Sequence, residues 1–190
     1  MDCHERALSL DDIAWFAKTP AQTFRNWLHR ELLGPLRVGA GSGKRRSFSF
    51  GEALKIALIA ELVHLGQPPS VLKEKALARA VDELGRHIFE ALVAGNQEAL
   101  ATLKTMCHLR LRHDWLQSKI LWSFVDNPAP PDAFTDAPYL ALDLYTLVVR
   151  LTYYVCRVRG LDLPAIVREE AEKFNASLPV GPGIPLEFTG

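Results

Sequence analysis

Cysteine is scarce in this chain, with only Cys3, Cys107 and Cys156 among its 190 residues. The three stand far apart, are odd in number and form no Cys-x-x-Cys pair, which argues against a disulfide framework and against a structural zinc site. Cys107, His108 and His113 lie close in sequence and could be written as metal ligands, but the same residues fit a half-buried strand on which side chains alternate. No metal and no other cofactor is expected. Long apolar runs are also missing: none approaches the roughly 18 residues that a membrane span needs. The opening Met1-Asp2-Cys3-His4-Glu5-Arg6 has neither a basic n-region nor an apolar h-region. A cytoplasmic protein without membrane contact is the expectation. The second half offers no nucleophile with a paired base and no twin carboxylates at useful spacing, so an enzyme is not expected.

What the chain does have is apolar content of 48%, enough for one generous domain or two small ones with real cores. Its net charge of zero hides an asymmetry. Residues 1–80 hold 12 Lys/Arg against 8 Asp/Glu, and residues 81–190 hold 10 against 14. Between residues 18 and 55 there are 8 basic side chains and only 2 acids, Glu31 and Glu52. Such density is an electrostatic footprint for phosphates, although a solvated face has the same composition.

Ser9-Leu10-Asp11-Asp12 reads as an N-cap with an acid at the third helical position, and Leu10, Ile13, Ala14 and Ala17 recur at helical spacing to about Lys18. Thr19-Pro20-Ala21-Gln22 predicts a second capping box with proline at the first helical position, and Phe24, Trp27 and Leu28 give the following helix an apolar face. Two short helices joined by a tight turn make a helix-turn-helix candidate. Gln22, Thr23, Arg25, Asn26, His29 and Arg30 are left pointing outward. An arginine can fork onto guanine and Asn or Gln can pair with adenine, so this set suits a helix in the major groove. Arg25 capping a carbonyl is the local alternative.

Gly34-Pro35-Leu36-Arg37-Val38, a glycine-rich tip, and Lys44-Arg45-Arg46-Ser47-Phe48-Ser49-Phe50 predict a β-hairpin with a basic returning strand. A phosphate-binding loop is rejected there, because Val38 replaces its first glycine and Arg45 follows Lys44 in place of Ser or Thr. The hairpin reads instead as a wing, with Arg37, Lys44, Arg45 and Arg46 reaching DNA phosphates or the minor groove. Ser49-Phe50-Gly51-Glu52 is a further capping box, opening an apolar helix that ends at Leu65-Gly66. The chain turns at Gln67-Pro68-Pro69 and is helical again from Ser70.

This order of helix, turn, helix, wing, helix and helix resembles the DNA-binding domain of the MerR family. The resemblance covers under half of the chain and is carried by Ile13-Ala14, Thr23-Phe24-Arg25-Asn26-Trp27, Leu32-Leu33, Pro35, Arg37, Arg46-Ser47-Phe48-Ser49 and Ile59-Ala60-Glu61-Leu62 through Leu65-Gly66. It implies that Thr23, Arg25 and Asn26 face the major groove, and that Arg46 with Phe48 holds the wing against the backbone. Phe48 in the core is the alternative. Lys18 and Glu31 stand where the family has glycine, at the turn and after the second helix, so the backbone at those corners is expected to depart from the family's. The resemblance also implies a long helix pairing with its twin. Leu77, Val81, Leu84, Ile88 and Ala91 follow the 4-3-4-3 spacing of a short coiled coil, interrupted by Gly85 and stopped at Gly95. Packing onto the protein's own second module explains the stripe equally well.

Beyond Gly95 the sequence predicts a helix from Asn96 to about Met106, strands around Leu109-Leu111 and over residues 120–125, and a proline-rich loop to Pro138. A short apolar piece over residues 139–142, an apolar helix over residues 143–159 and a last helix capped by Asp162 follow. Aromatics here, from Trp115 to Tyr154, either line an effector pocket or belong to core and interface. The fold expected is therefore mainly α: a winged helix-turn-helix over residues 1–80, then a mostly helical module with a few short strands over residues 81–190. That module is assigned to dimerisation and to an effector or partner. The function expected is sequence-specific binding of double-stranded DNA by a homodimeric transcriptional regulator. The alternatives are a phage-type DNA architecture or packaging protein, such as an excisionase or terminase small subunit, and an adaptor that has lost DNA binding.

Overall fold

A computed structural model of the chain describes residues 8–32, 47–114, 119–125, 140–162 and 164–177. Among the described residues the fold is mainly α, with seven helices and two small antiparallel sheets. Strand β1 (Leu8–Ser9) leads directly into α1 (Leu10–Phe16), whose start is fixed by the capping box foreseen at Ser9. Asp12 N–H donates to Ser9 Oγ at 3.1 Å while Ser9 N–H donates to the Asp12 carboxylate at 2.7 Å, so two orphan donors are satisfied reciprocally. The helix stops at Phe16, short of the predicted Lys18, because Lys18 adopts the left-handed conformation with φ of 49°.

Helix α2 (Ala21–His29) begins differently from the prediction. Pro20, not Thr19, occupies the N-cap position, and no side chain caps the first turn. Thr19 is turned inward instead. Its hydroxyl donates to the Ala17 carbonyl at 3.1 Å and lies 3.3 Å from His64 Nε2, so the residue is spent on the corner between helices. Phe24 and Trp27 bury the inner face of α2, their rings meeting edge to face. The helix closes at Arg30, and Glu31 takes φ of 52°.

Strand β2 (Ser47–Phe48) pairs antiparallel with β1, Leu8 opposite Phe48, both buried. The strand returning from the basic stretch thus closes on the segment before α1. The other half of the predicted hairpin and its tip, with Arg37, Lys44, Arg45 and Arg46, lie outside the described residues. Phe48 belongs to the core, which corrects its assignment as a wing support and bears out the alternative.

Helix α3 (Phe50–His64) opens on the foreseen Ser49–Glu52 capping box and ends where Gly66, at φ of 83°, leaves the helical path. It is buried around most of its circumference, as its almost unbroken apolar sequence requires. After a 3₁₀ turn at Val71–Lys73, α4 (Lys75–Ala94) is capped by Glu74, which accepts from the N–H groups of Ala76 and Leu77, and is stopped by Gly95 at φ of 66°. This helix runs across residue 80, where the sequence suggests a domain boundary. Its buried residues belong to one hydrophobic cluster with residues of both halves.

The stripe assigned to dimerisation lies in that cluster. Leu77, Val81 and Ile88 are fully buried, Ala91 nearly so, and Leu84 is half-buried against the same core. The assignment is corrected accordingly: α3 and α6 cover the stripe within the chain, so it offers no face to a twin. Gly85 shows why the helices fit so closely, since a Cβ there would overlap Cδ2 of Leu54 on α3. Beside this contact, Lys55 of α3 and Asp82 of α4 pair at 2.5 Å.

Helix α5 (Gln97–Thr105), capped by Asn96, precedes a sheet of β3 (His108–Asp114), β4 (Lys119–Val125) and β5 (Leu140–Asp143) in the order β4-β3-β5, all antiparallel. The register sets Leu109 opposite Phe124 on one side and Leu142 on the other. Strand β3 is not half-buried: Leu109, Arg110 and Leu111 are all buried in succession, so both of its faces are covered there. Helix α6 (Leu144–Arg159), capped by Asp143 and stopped by Gly160, packs against α3, α4 and α7 (Ala165–Ser177). Asp162 is not the cap of α7, which starts three residues later with the N–H groups of Val167 and Arg168 donating to the Pro164 carbonyl. None of the described helices is long and apolar enough to cross a membrane.

Candidate nucleic-acid interface

The geometry of the candidate interface follows from the packing of α2. With Phe24 and Trp27 turned into the core, helical spacing sends Gln22, Arg25, Asn26, His29 and Arg30 to the opposite side, and all five are exposed. Thr23, half-buried, sits at the edge of this face. Of the nine DNA-facing residues the sequence suggests, the described structure therefore brings together Gln22, Thr23, Arg25, Asn26 and Arg30. The remaining four are those of the wing.

The exposed side chains are organised by one another. Gln22 Nε2 donates to Asn26 Oδ1 at 3.2 Å, one helical turn away, and Arg25 Nη1 donates to Gln22 Oε1 at 3.5 Å. The other end of the guanidinium lies 3.6 Å from the carboxylate of Asp11, in the first turn of α1. Arg25 thus reaches across to a neighbouring helix rather than capping a carbonyl, and Asp11 is the contributor that the sequence reading overlooks. Its signal was its exposed position on α1 beside Asp12, whose own carboxylate is occupied by Ser9.

Both corners of the helix pair carry a left-handed residue. Lys18 and Glu31 are the two non-glycine residues with positive φ among those described, at 49° and 52°. Each corner takes the conformation that glycine adopts without strain, with an exposed long side chain in its place.

The second half supplies a link to this region. Trp15 on α1, 60% exposed, stacks on Tyr154 of α6 with ring centroids 5.0 Å apart and planes 16° from parallel. Phe16 lies against the same tyrosine, with the Arg150 guanidinium over its ring at 5.6 Å. Tyr145 and Tyr153 are core residues. Tyr145 donates to Glu170 of α7 at 3.1 Å, and Lys104 of α5 pairs with the same carboxylate at 3.0 Å, which ties three helices together. Burial and the charge of Asp143 push the Cys107 thiol up to about 12, and the thiol donates to the Leu103 carbonyl. A thiol so placed stays protonated near neutral pH and is a poor nucleophile or metal ligand. Among the described residues no group of three or more His, Cys, Asp or Glu is arranged to hold a metal ion. No family model matches the chain, and no curated protein matches it.

Proposed function

We propose that residues 9–79 bind double-stranded DNA with α2 in the major groove, as the reading unit of a MerR-like transcriptional regulator. The observation that carries this reading is the pair of left-handed corners at Lys18 and Glu31, which flank α2 at the two positions where the resemblance calls for glycine. A residue with a side chain holds that conformation at a cost of about 1–2 kcal/mol. Two such residues bracketing one nine-residue helix indicate that the angle of entry and exit of α2 is demanded by the fold around it. The outward face of α2 adds hydrogen-bonding groups of the kind that discriminate base edges, and the basic balance of the segment adds attraction for phosphates.

The test is selection of duplexes from a randomised library with the full chain, followed by affinity measurements against salt. Enrichment of one pseudo-palindromic site is expected, with a salt slope that shrinks by about 0.9 for each phosphate contact removed when Lys44, Arg45 and Arg46 are changed together to Ala. Failure to enrich any sequence overturns the regulator reading. Coating of several repeats by large assemblies points instead to an architectural or packaging role.

A further inference from the structure

We infer that Asp11 is a positioning residue of the reading face: it orients Arg25 and so favours specific over random duplex, chiefly by lowering affinity for the random one. The inference rests on the function proposed above and goes beyond it by naming what sets selectivity. Asp11 Oδ1 lies 3.6 Å from Arg25 Nη2 and so joins α1 to the outward polar set of α2. The opposite Nη is held by Gln22, and Gln22 in turn by Asn26, so four side chains from two helices form one chain of polar contacts. A guanidinium carries more N–H donors than these two contacts use, and the rest remain available to a base edge.

The charge logic is specific to a DNA-facing surface. A carboxylate held 74% exposed beside the recognition helix repels phosphates of any sequence, so it weakens binding that depends on charge alone. An arginine without that partner swings freely and takes the nearest phosphate. An arginine held by it presents its remaining donors in one direction, which rewards a matching base and penalises a mismatched one. The neighbouring Asp12 cannot substitute, because its carboxylate accepts from both the backbone N–H and the hydroxyl of Ser9.

The experiment compares the wild-type chain with Asp11→Asn, Asp11→Glu, Arg25→Ala and the Asp11→Asn/Arg25→Ala double variant. Each is titrated with the duplex selected by the wild type and with a random-sequence duplex pool of the same length. Exposed ion pairs shift equilibria by about two- to fivefold. Asp11→Asn is therefore expected to bind the random pool about two- to fivefold more tightly, with the ratio of selected to random affinity falling by a similar factor. Asp11→Glu restores part of that ratio, and in the Arg25→Ala background the Asn substitution no longer changes it. A purely structural role would weaken both duplexes in parallel. A ratio unchanged in Asp11→Asn, or falling as far in the Arg25→Ala background, overturns the inference and leaves the proposed function standing. No enrichment by the wild type overturns both.

Discussion

Replacing Lys18 or Glu31 with glycine should stabilise the protein, against the usual effect of introducing glycine. At φ of 49° and 52° both residues hold a conformation in which the Cβ crowds the following carbonyl. The cost is about 1–2 kcal/mol for an L-residue and close to none for glycine. Against this, glycine gives the unfolded chain more freedom, worth about 0.5–1 kcal/mol. Both side chains are exposed, so little contact energy is lost. With both terms near the middle of their ranges, the net gain is about 0.5–1 kcal/mol at each site. A chain of this length gains about 2–4 °C in Tm per kcal/mol, so each variant should melt about 1–4 °C higher. The sites lie at opposite ends of α2 and should add. Circular dichroism melts and urea titrations of Lys18→Gly, Glu31→Gly and the double variant measure this. Lys18→Ala, which removes the charge but keeps the Cβ, serves as control and should change Tm little. A Tm lowered by either glycine would refute the reasoning, because it would mean that the corner is not strained and that its geometry is not imposed by the rest of the fold.

Gly85→Ala should destabilise by about 1–2 kcal/mol in urea unfolding despite alanine's higher helix propensity, since its Cβ meets Leu54, and adding Leu54→Ala should recover part of the loss. Ile88→Ala should cost about 2–5 kcal/mol of unfolding free energy while leaving the sedimentation coefficient of the folded protein unchanged, as its side chain packs inside one chain. Arg25→Ala should relax preference at one or two base positions by about 1–3 kcal/mol in competition binding with non-specific affinity nearly intact. At Glu170, burial raises the carboxyl pKa but hydrogen bonds from Lys104, Lys173 and Tyr145 outweigh it and hold the group below its ordinary 4.5. Its contribution is therefore fully present above that value and lost as pH falls through the lower folded-state pKa, so acid should destabilise the wild type more steeply than Glu170→Gln in urea titrations between pH 5 and about pH 3.

The parts of this fold that could be read from sequence are those decided within a few residues. Capping by Ser9, Ser49, Asn96 and Asp143 and termination at Gly66, Gly95 and Gly160 are local events, and the helices they bound lie close to where the pattern puts them. The outward set on α2 was legible for the same reason, because Phe24 and Trp27 fix which side is inner. What escaped depends on partners distant in sequence. Thr19 looks like a cap until His64 is placed beside it, 45 residues on. The pairing of β1 with β2 joins the segment before α1 to the one before α3, which no short window contains. Asp11 meets the outward face of α2 only because α1 packs against α2, and the burial of Arg110 follows from covering β3 on both faces.

The α4 stripe shows the limit of periodicity most directly. A 4-3-4-3 spacing states that one side of a helix is covered, and it is silent on whether the cover belongs to the same chain or to a twin. Gly85 was the residue that could have decided it. A coiled-coil seam fills its holes with side chains, whereas a glycine beside the stripe marks a helix approached more closely than a seam allows, here by Leu54 of α3. Because the stripe is committed to that core, its buried side chains are not free to pair two copies. The same commitment joins the two halves: α3 and α6 share the core with α4, and the Trp15–Tyr154 stack fastens α1 to α6. The stack thus joins α6 to the helix whose first turn sets Asp11 beside Arg25.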